Sequence, residues 1–411
     1  MISVAVDLGT TVVSFSAFDG ARRIARADLR NPQKIAGLDV ASRIAAASAS
    51  AGRAFELQRL LSSALVQRVA SALHACAMRA SEISMWCFSG NTAMEGIFAG
   101  KDVSSLARAP FSAPWSGVLR MKAADLGLPC APGAPAVFMP PLASFAGGDT
   151  ASAILAAERG GIRRPYALLD LGTNAEIVYA APGGETFVAS AAAGPAFEGA
   201  GASCGVPAFR GAIDRVELNA GVFRCHVVGD PPGTWTTAGG GAWVNNRNKA
   251  RGICASGIID VLAEAVRAGI LKEDGSMDAS KIVLRDGVYV TREDIRAFQT
   301  AKAAVCAAME TVFAEADVPD GKTRVLPLVL AGSMGRRILR KNAEKLGIWP
   351  SGMAAVPIGN ASLAGAELYI GAPEECELRL SRIAASVRHV NLAESPLFQS
   401  LFIERMQLRR F

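Results

Sequence analysis

Two short stretches, Asp7-Leu8-Gly9-Thr10-Thr11 and Asp170-Leu171-Gly172-Thr173-Asn174, decide how this 411-residue chain is read. Each follows an apolar run, Ile2-Ser3-Val4-Ala5-Val6 before the first and Tyr166-Ala167-Leu168-Leu169 before the second. A buried strand thus delivers an Asp to its carboxyl end. Gly then allows a tight turn without a Cβ clash. Such a turn offers successive backbone N–H groups and Thr hydroxyls to an anion. The Asp repels phosphate, so it suits a hydrated Mg²⁺, which keeps several waters and takes one or two carboxylates. An ordinary strand-to-hairpin turn accounts for one such stretch. Two of them, each opening one half of the chain, point to a duplicated domain that closes on a nucleotide.

Composition narrows the classes. The length suits two or three domains. Hydrophobic residues make up 51% and charged residues 19%, so a sizeable core is available, while aromatics are only 6%. The net charge of +6 is dispersed, with no basic run longer than two residues, as in Arg409-Arg410 at the tail. With no arginine-rich arm and no basic–aromatic interleaving, the excess fits an acidic protein partner better than nucleic acid. The N-terminus enters a strand at once, and polar residues interrupt every apolar run before about 18 residues, so neither a signal peptide nor a membrane span is expected. The eight Cys, at 76, 87, 130, 204, 225, 254, 306 and 376, form no CxxC. No zinc ribbon or iron–sulfur cluster is expected within the chain, and reduced thiols in a cytoplasm are.

Along the chain, a strand, turn and strand open the first half. Leu57, Leu60, Leu61, Leu65, Val69 and Leu73 predict an amphipathic helix from Ala54 to Ala80. Ile83 to Phe88 reads as a strand ending in Ser89-Gly90-Asn91-Thr92, and Gly147-Gly148-Asp149-Thr150 opens a helix through Glu158. The basic link Arg159-Gly160-Gly161-Ile162-Arg163-Arg164-Pro165 is the best boundary. After it the plan repeats: strand, turn, strand, glycine-rich connections, helices capped near Cys254 and Thr291, and a strand from Val325 to Leu330 that empties into Ala331-Gly332-Ser333-Met334-Gly335. Gly359-Asn360-Ala361-Ser362 begins a late helix. Strands alternating with helices, twice over, predict an α/β protein of two similar domains, 1–160 and 161–375, with a tail, 376–411, packing back on the core. Ligands in such folds bind at the carboxyl ends of strands.

Glycine-bearing turns therefore follow strands at Asp7, Gly90, Asp170 and Gly332. The last suits close backbone approach to an adenine or ribose. This order resembles the actin, Hsp70 and sugar-kinase superfamily, which implies two duplicated actin-like, ribonuclease H-like ATPase domains around a nucleotide cleft. A narrower likeness rests on Asn31-Pro32-Gln33, Gly37-Leu38-Asp39-Val40-Ala41-Ser42-Arg43-Ile44, Gly90-Asn91-Thr92-Ala93-Met94, Gly147-Gly148-Asp149-Thr150 and Ala192-Ala193-Gly194-Pro195-Ala196-Phe197-Glu198-Gly199. Gly252-Ile253-Cys254-Ala255-Ser256-Gly257, Gln299-Thr300-Ala301-Lys302 and Gly359-Asn360 extend it. Over residues 1–408 the chain resembles the ATPase module of the reductive activators of corrinoid proteins.

That resemblance implies ATP binding and hydrolysis alongside electron delivery to a corrinoid protein of a methyltransferase system, returning Co(II) to Co(I). The couple lies at very low potential, and about 30 mV corresponds to about 0.7 kcal/mol for one electron. Members of the family usually carry an N-terminal ferredoxin-like domain with a 2Fe–2S cluster. This sequence opens on the first phosphate strand, so electrons are expected from a separate iron–sulfur protein. A homodimer is the family expectation.

For the site, Asp7 and Asp170 are expected to hold Mg²⁺ through water. Gly9, Thr10, Thr11, Gly172, Thr173 and Asn174 are expected at the phosphates, and Gly332, Ser333 and Gly335 at the adenosine. Asp149 reads as a base orienting the attacking water or as a plain N-cap. Glu198 reads as near the nucleotide, at a partner surface or purely structural, and Lys302 as nucleotide-reaching or solvated. Three other readings stand beside this one: a 2-hydroxyacyl-CoA dehydratase-type activator with an intersubunit 4Fe–4S cluster, a small-molecule kinase of the same superfamily, and a non-catalytic, partner-binding relic of the ATPase. The first needs two cysteines per subunit; the nearest to Cys254 are Cys225 and Cys306, with no obvious partner spacing, and Cys254 itself reads as a packed small side chain.

Overall fold

The computed structural model describes residues 1–199, 201–237, 248–323, 325–332 and 334–411. Two six-stranded sheets organise them. In the first, the order is Arg22–Arg30, Val12–Asp19, Ile2–Leu8, Ile83–Gly90, Pro135–Phe138 and Leu119–Lys122. The opening three strands form an antiparallel meander, and Ile83–Gly90 joins parallel to Ile2–Leu8. In the second, the order is Ala354–Gly359, Pro327–Ala331, Tyr166–Leu171, Ala175–Ala180, Thr186–Ala191 and Val387–His389. Here Pro327–Ala331 runs parallel to both Tyr166–Leu171 and Ala354–Gly359. Five positions of each sheet thus follow one plan: a three-strand meander, then two strands returning by crossover on the side of its first strand. This is the duplication that the paired turns predict, and the fold is α/β as expected.

Register carries the correspondence further. Asp7 pairs with Ser89, so Gly90 is the next residue on the neighbouring strand. Asp170 pairs with Ala331, so Gly332 is the next residue there. Each Asp therefore has a glycine diagonally beside it: Gly90 is the last residue of its strand, and Gly332 the first residue past its own.

By contact, one compact unit comprises residues 1–164, 180–188 and 360–389, and the other 165–179, 189–359 and 390–411. The units interleave along the chain, and residue 375 falls inside the helix Pro373–Ala385. In the first unit, Trp86, Phe88, Phe98 and Phe138 stack in the core, with Phe88 and Phe138 ring centroids 4.9 Å apart. Burying side chains of this size stabilises by about 1.5–3 kcal/mol each. Helix Ala51–His74 covers that core with Leu57, Leu61, Leu65, Val69 and Leu73. It stops six residues before the expected Ala80, because its apolar face ends at Leu73 and Ala77 turns into positive φ. In the same unit Gly365 lets helix Ala361–Gly371 lie directly on helix Gly148–Arg159; a Cβ there would come within 2.4 Å of Ser152 Cβ. That crossing carries the start of helix Ala361–Gly371 to the first sheet.

In the second unit, helix Arg292–Glu315 starts with the expected capping box, Thr291 and Asp294. The chain's last segment is fastened to it. Arg405 forks onto Glu310, Gln299 Nε2 donates to Met406 O at 2.9 Å, and Lys302 Nζ donates to Gln407 O. Phe411 lies beneath Lys302 Nζ and the Arg405 guanidinium, 4.6 and 4.2 Å from its centroid. Lys302 is fully buried. It is neither solvated nor aimed at a ligand, and burial pulls its pKa down to about 8. Among the described residues, no helix is long and apolar enough to cross a membrane.

Candidate functional site

The first turn is braced from several sides. A Cβ on Gly9 would sit 2.2 Å from Val12 O, so only glycine fits there. Asn31 Nδ2 donates to Gly9 O at 2.9 Å, and Asn31 N to Thr11 O at 3.0 Å. Asn91 Nδ2 donates to Thr10 Oγ1 at 3.3 Å. Thr10 is buried and Thr11 exposed. Asp7 receives two donors from the late helix: Asn360 Nδ2 at 2.8 Å on one carboxylate oxygen and Ser362 Oγ at 2.7 Å on the other. Asn360 also caps that helix, its Oδ1 accepting from Leu363 N. Behind Ser362 a row of hydroxyls continues, Ser89 Oγ lying 2.8 Å from Ser362 Oγ and 2.9 Å from Ser152 Oγ.

Carboxyls gather in this unit. Burial raises the pKa of Asp7, despite Ser362 and Asn360. Asp149 lies in the first turn of helix Gly148–Arg159, whose cap is Gly147. It is therefore not the N-cap, and its Oδ1 accepts from Thr150 N at 2.7 Å. Burial first, and then the charge on Asp7, push Asp149 up to about 7. Glu95 lies beneath the same turn and is fully buried; its Oε1 is 2.4 Å from where a Gly148 Cβ would stand. Burial and the nearby Asp149 keep it protonated well above the usual carboxylate range. A carboxyl titrating near neutrality, aimed from a turn, has the properties of a general base.

The second turn is built differently. Thr173 is buried, and both its N–H and its hydroxyl donate to Glu198 Oε1, at 2.8 and 2.5 Å. Gly172 N donates to Asn174 O at 3.2 Å. Gly332 holds φ +79°, and a Cβ there would sit 2.6 Å from Asp170 Oδ1. Gly332 thus meets the Asp170 carboxylate itself. Gly335 packs against Leu330, 2.8 Å from that residue's Cβ to a Cβ at Gly335. Ser333 lies outside the described residues.

Sequence reasoning left Asn31, Asn91, Glu95, Asn360 and Ser362 without roles. The structure brings Asn360 and Ser362 onto Asp7, and Asn31 and Asn91 onto the turn that follows it. The signal for Asn31, Asn91 and Asn360 was their presence in the motif series, and for Ser362 its place in the helix start Gly359-Asn360-Ala361-Ser362. Cysteines are set apart from both turns' hydrogen bonds. Cys254 is buried, with its Sγ 3.3 Å from Ser256 Oγ, and burial holds Cys225 up at about 11 and Cys306 higher still. Among the described residues, no group of three or more His, Cys, Asp or Glu could hold a metal ion by itself.

Comparison with known proteins points one way. The RACo middle region matches residues 2–159, and the C-terminal domain of RACo, the ASKHA domain, matches residues 165–410. The corrinoid activation enzyme RamQ of Eubacterium limosum is 27% identical over 432 aligned positions, covering 97% of this chain and 69% of RamQ. A Co(II) methylated amine-specific corrinoid protein reductase of Methanosarcina barkeri is 28% identical over 253, covering 58% of this chain and 45% of the reductase. A solved reductive activator for corrinoid, iron-sulfur protein superposes with a TM-score of 0.85 at 26% identity, over 99% of this chain and 66% of that one.

Proposed function

Because this chain belongs to the RACo family of corrinoid-protein activators, matched through both its middle region and its ASKHA domain, we propose that it binds and hydrolyses ATP to support reduction of Co(II) to Co(I) in a corrinoid protein. The observation that carries the nucleotide part is the repeated register: an Asp near a strand end with a glycine diagonally beside it on the neighbouring strand's end, once in each sheet. The chain spans about two thirds of RamQ and of the solved activator. The partner corrinoid protein, a separate iron–sulfur electron donor, a homodimer and a cytoplasmic setting belong to the proposal on the same footing.

Gly9, Thr10 and Thr11 supply one phosphate-facing turn, and Gly172, Thr173 and Asn174 the other. Gly332, Ser333 and Gly335 supply the adenosine side. Asp7 and Asp170 suit Mg²⁺ through water: a carboxylate oxygen that accepts one hydrogen bond keeps acceptor capacity for a water ligand. The ion supplies charge neutralisation for the transferring phosphoryl group. Asp149 receives the proton of the attacking water as its oxygen bonds to the γ-phosphorus, and ADP departs with the bonding pair of the broken P–O bond.

Buried thiols favour this reading over an activator with a bridging cluster, since thiolate, not thiol, binds iron. The decisive experiment uses the full chain with a Co(II) corrinoid protein, an iron–sulfur donor and MgATP, followed by visible spectroscopy. Co(I) should appear only when chain and ATP are both present, with free phosphate released. Phosphate found on a metabolite would replace this reading with a small-molecule kinase.

A further inference from the structure

The second phosphate turn already holds an anion, and that anion is the protein's own. Thr173 N–H and Thr173 Oγ both donate to one oxygen of Glu198, at 2.8 and 2.5 Å. The same oxygen lies 3.6 Å from a Cβ position on Gly172. Two donors converging on one carboxylate oxygen are what a phosphate oxygen would ask of this turn. A carboxylate and a phosphate cannot share them, because like charges at contact repel.

We propose that Glu198 is an internal competitor for the second phosphate turn, so that nucleotide binds there by displacing it. The inference rests on the nucleotide reading above and deepens it by naming the residue that sets affinity. The segment carrying Glu198 is built to move as a piece. Pro195–Glu198 form one short turn, flanked by Gly194 at φ +73° and Gly199 at φ +71°. Both flanking residues hold a conformation that glycine adopts without penalty. Gly194 N donates to Thr173 O at 2.8 Å, which ties the hinge to the phosphate turn. Phe197, buried between them, meets Phe298 of helix Arg292–Glu315 edge-on at 5.8 Å. Displacing Glu198 therefore pulls on a ring seated against the longest helix of this unit. Occupancy of the phosphate turn and the position of that helix become linked through one side chain.

The alternative role for Glu198 is to hold Thr173 ready for phosphate, and it makes the opposite prediction. The test is calorimetric titration of the full chain with the non-hydrolysable analogue AMPPNP and Mg²⁺, for wild type, E198A and E198Q. Loss of the competitor should tighten binding about tenfold in E198A, equivalent to about 1.4 kcal/mol. E198Q should fall between, since its amide oxygen still accepts but carries no charge; it is isosteric and carries the test if E198A does not fold. Hydrogen exchange should show the amides of 194–199 exchanging faster in wild type when the analogue is bound. Equal or weaker binding by both variants, with wild type binding normally, overturns this proposal alone. Failure of all three proteins to bind overturns the nucleotide reading together with it.

Discussion

The two phosphate turns occupy the same position in two sheets of the same plan, yet their chemistry differs. The first gathers carboxyls whose pKa values burial raises. Asp7 is gripped by Asn360 and Ser362; its charge helps to raise the pKa of Asp149, and the charge on Asp149 helps to raise that of Glu95. The second is a donor site filled by a carboxylate, with Asp170 pressed against the backbone of Gly332. Duplication preserved the backbone frame, and the side chains divided the labour. On the proposed function, one half would manage a proton and the other an anion. The lesson is that register equivalence identifies a site, while its job is set by what reaches it from far along the chain.

The comparison can be broken most severely at Asp149. D149A should lower ATP hydrolysis about 10²–10⁴-fold, with AMPPNP affinity kept, because only the proton acceptor is lost. A fall of less than tenfold in released phosphate would remove the first turn's distinct role. A pH series sharpens the same point. Hydrolysis should rise as pH increases through about 7, where Asp149 loses its proton. Stability should move the other way. Between the ordinary carboxylate value of 3.8 and about 7, the unfolded chain has released this proton and the folded chain has not. The residue's contribution thus falls with rising pH over that window and levels above it. Chemical denaturation of D149N beside wild type should show that slope lost.

A smaller effect tests the second turn. G332A forces a side chain into positive φ against Asp170, and should destabilise the fold by about 1–3 kcal/mol in urea unfolding. The equivalent probe of the first turn is milder. S362A removes one hydroxyl from Asp7, and should cost about 1 kcal/mol while raising the pKa of Asp7 further, read by carboxyl NMR. Equal costs for G332A and S362A would argue that the two turns are strained alike, against the division drawn here.

Much of this architecture was legible because it is written locally. An apolar run ending in Asp-Leu-Gly-Thr fixes strand and turn within ten residues, and it did so twice. Helix Arg292–Glu315 announces its start through Thr291 and Asp294. What remained hidden is non-local or violates a strong average. Asn360 and Ser362 show themselves as a helix start, but nothing in their spacing tells that the start abuts Asp7. Lys302 was read against the rule that lysine stays in water, and the structure buries it to hold the carbonyls of the last segment. The hairpin of Ala212–Asn219 and Val222–Val227 was lost among glycine-rich connections, since its half-buried residues alternate weakly. Helix Pro373–Ala385 carries a proline at its start, as helices often do, with Glu374 and Glu375 behind it, and still passed unread.

The grip of Asn360 and Ser362 on Asp7 also has a consequence for how the protein is made. Its partners lie 353 and 355 residues apart in sequence. At about 5–20 residues per second, the ribosome delivers the donors for Asp7 roughly 20–70 s after Asp7 itself emerges. Through that interval the first half has its strands but not the clamp on its acid. A nascent chain is therefore expected to gain the clamp on Asp7 only near the end of synthesis.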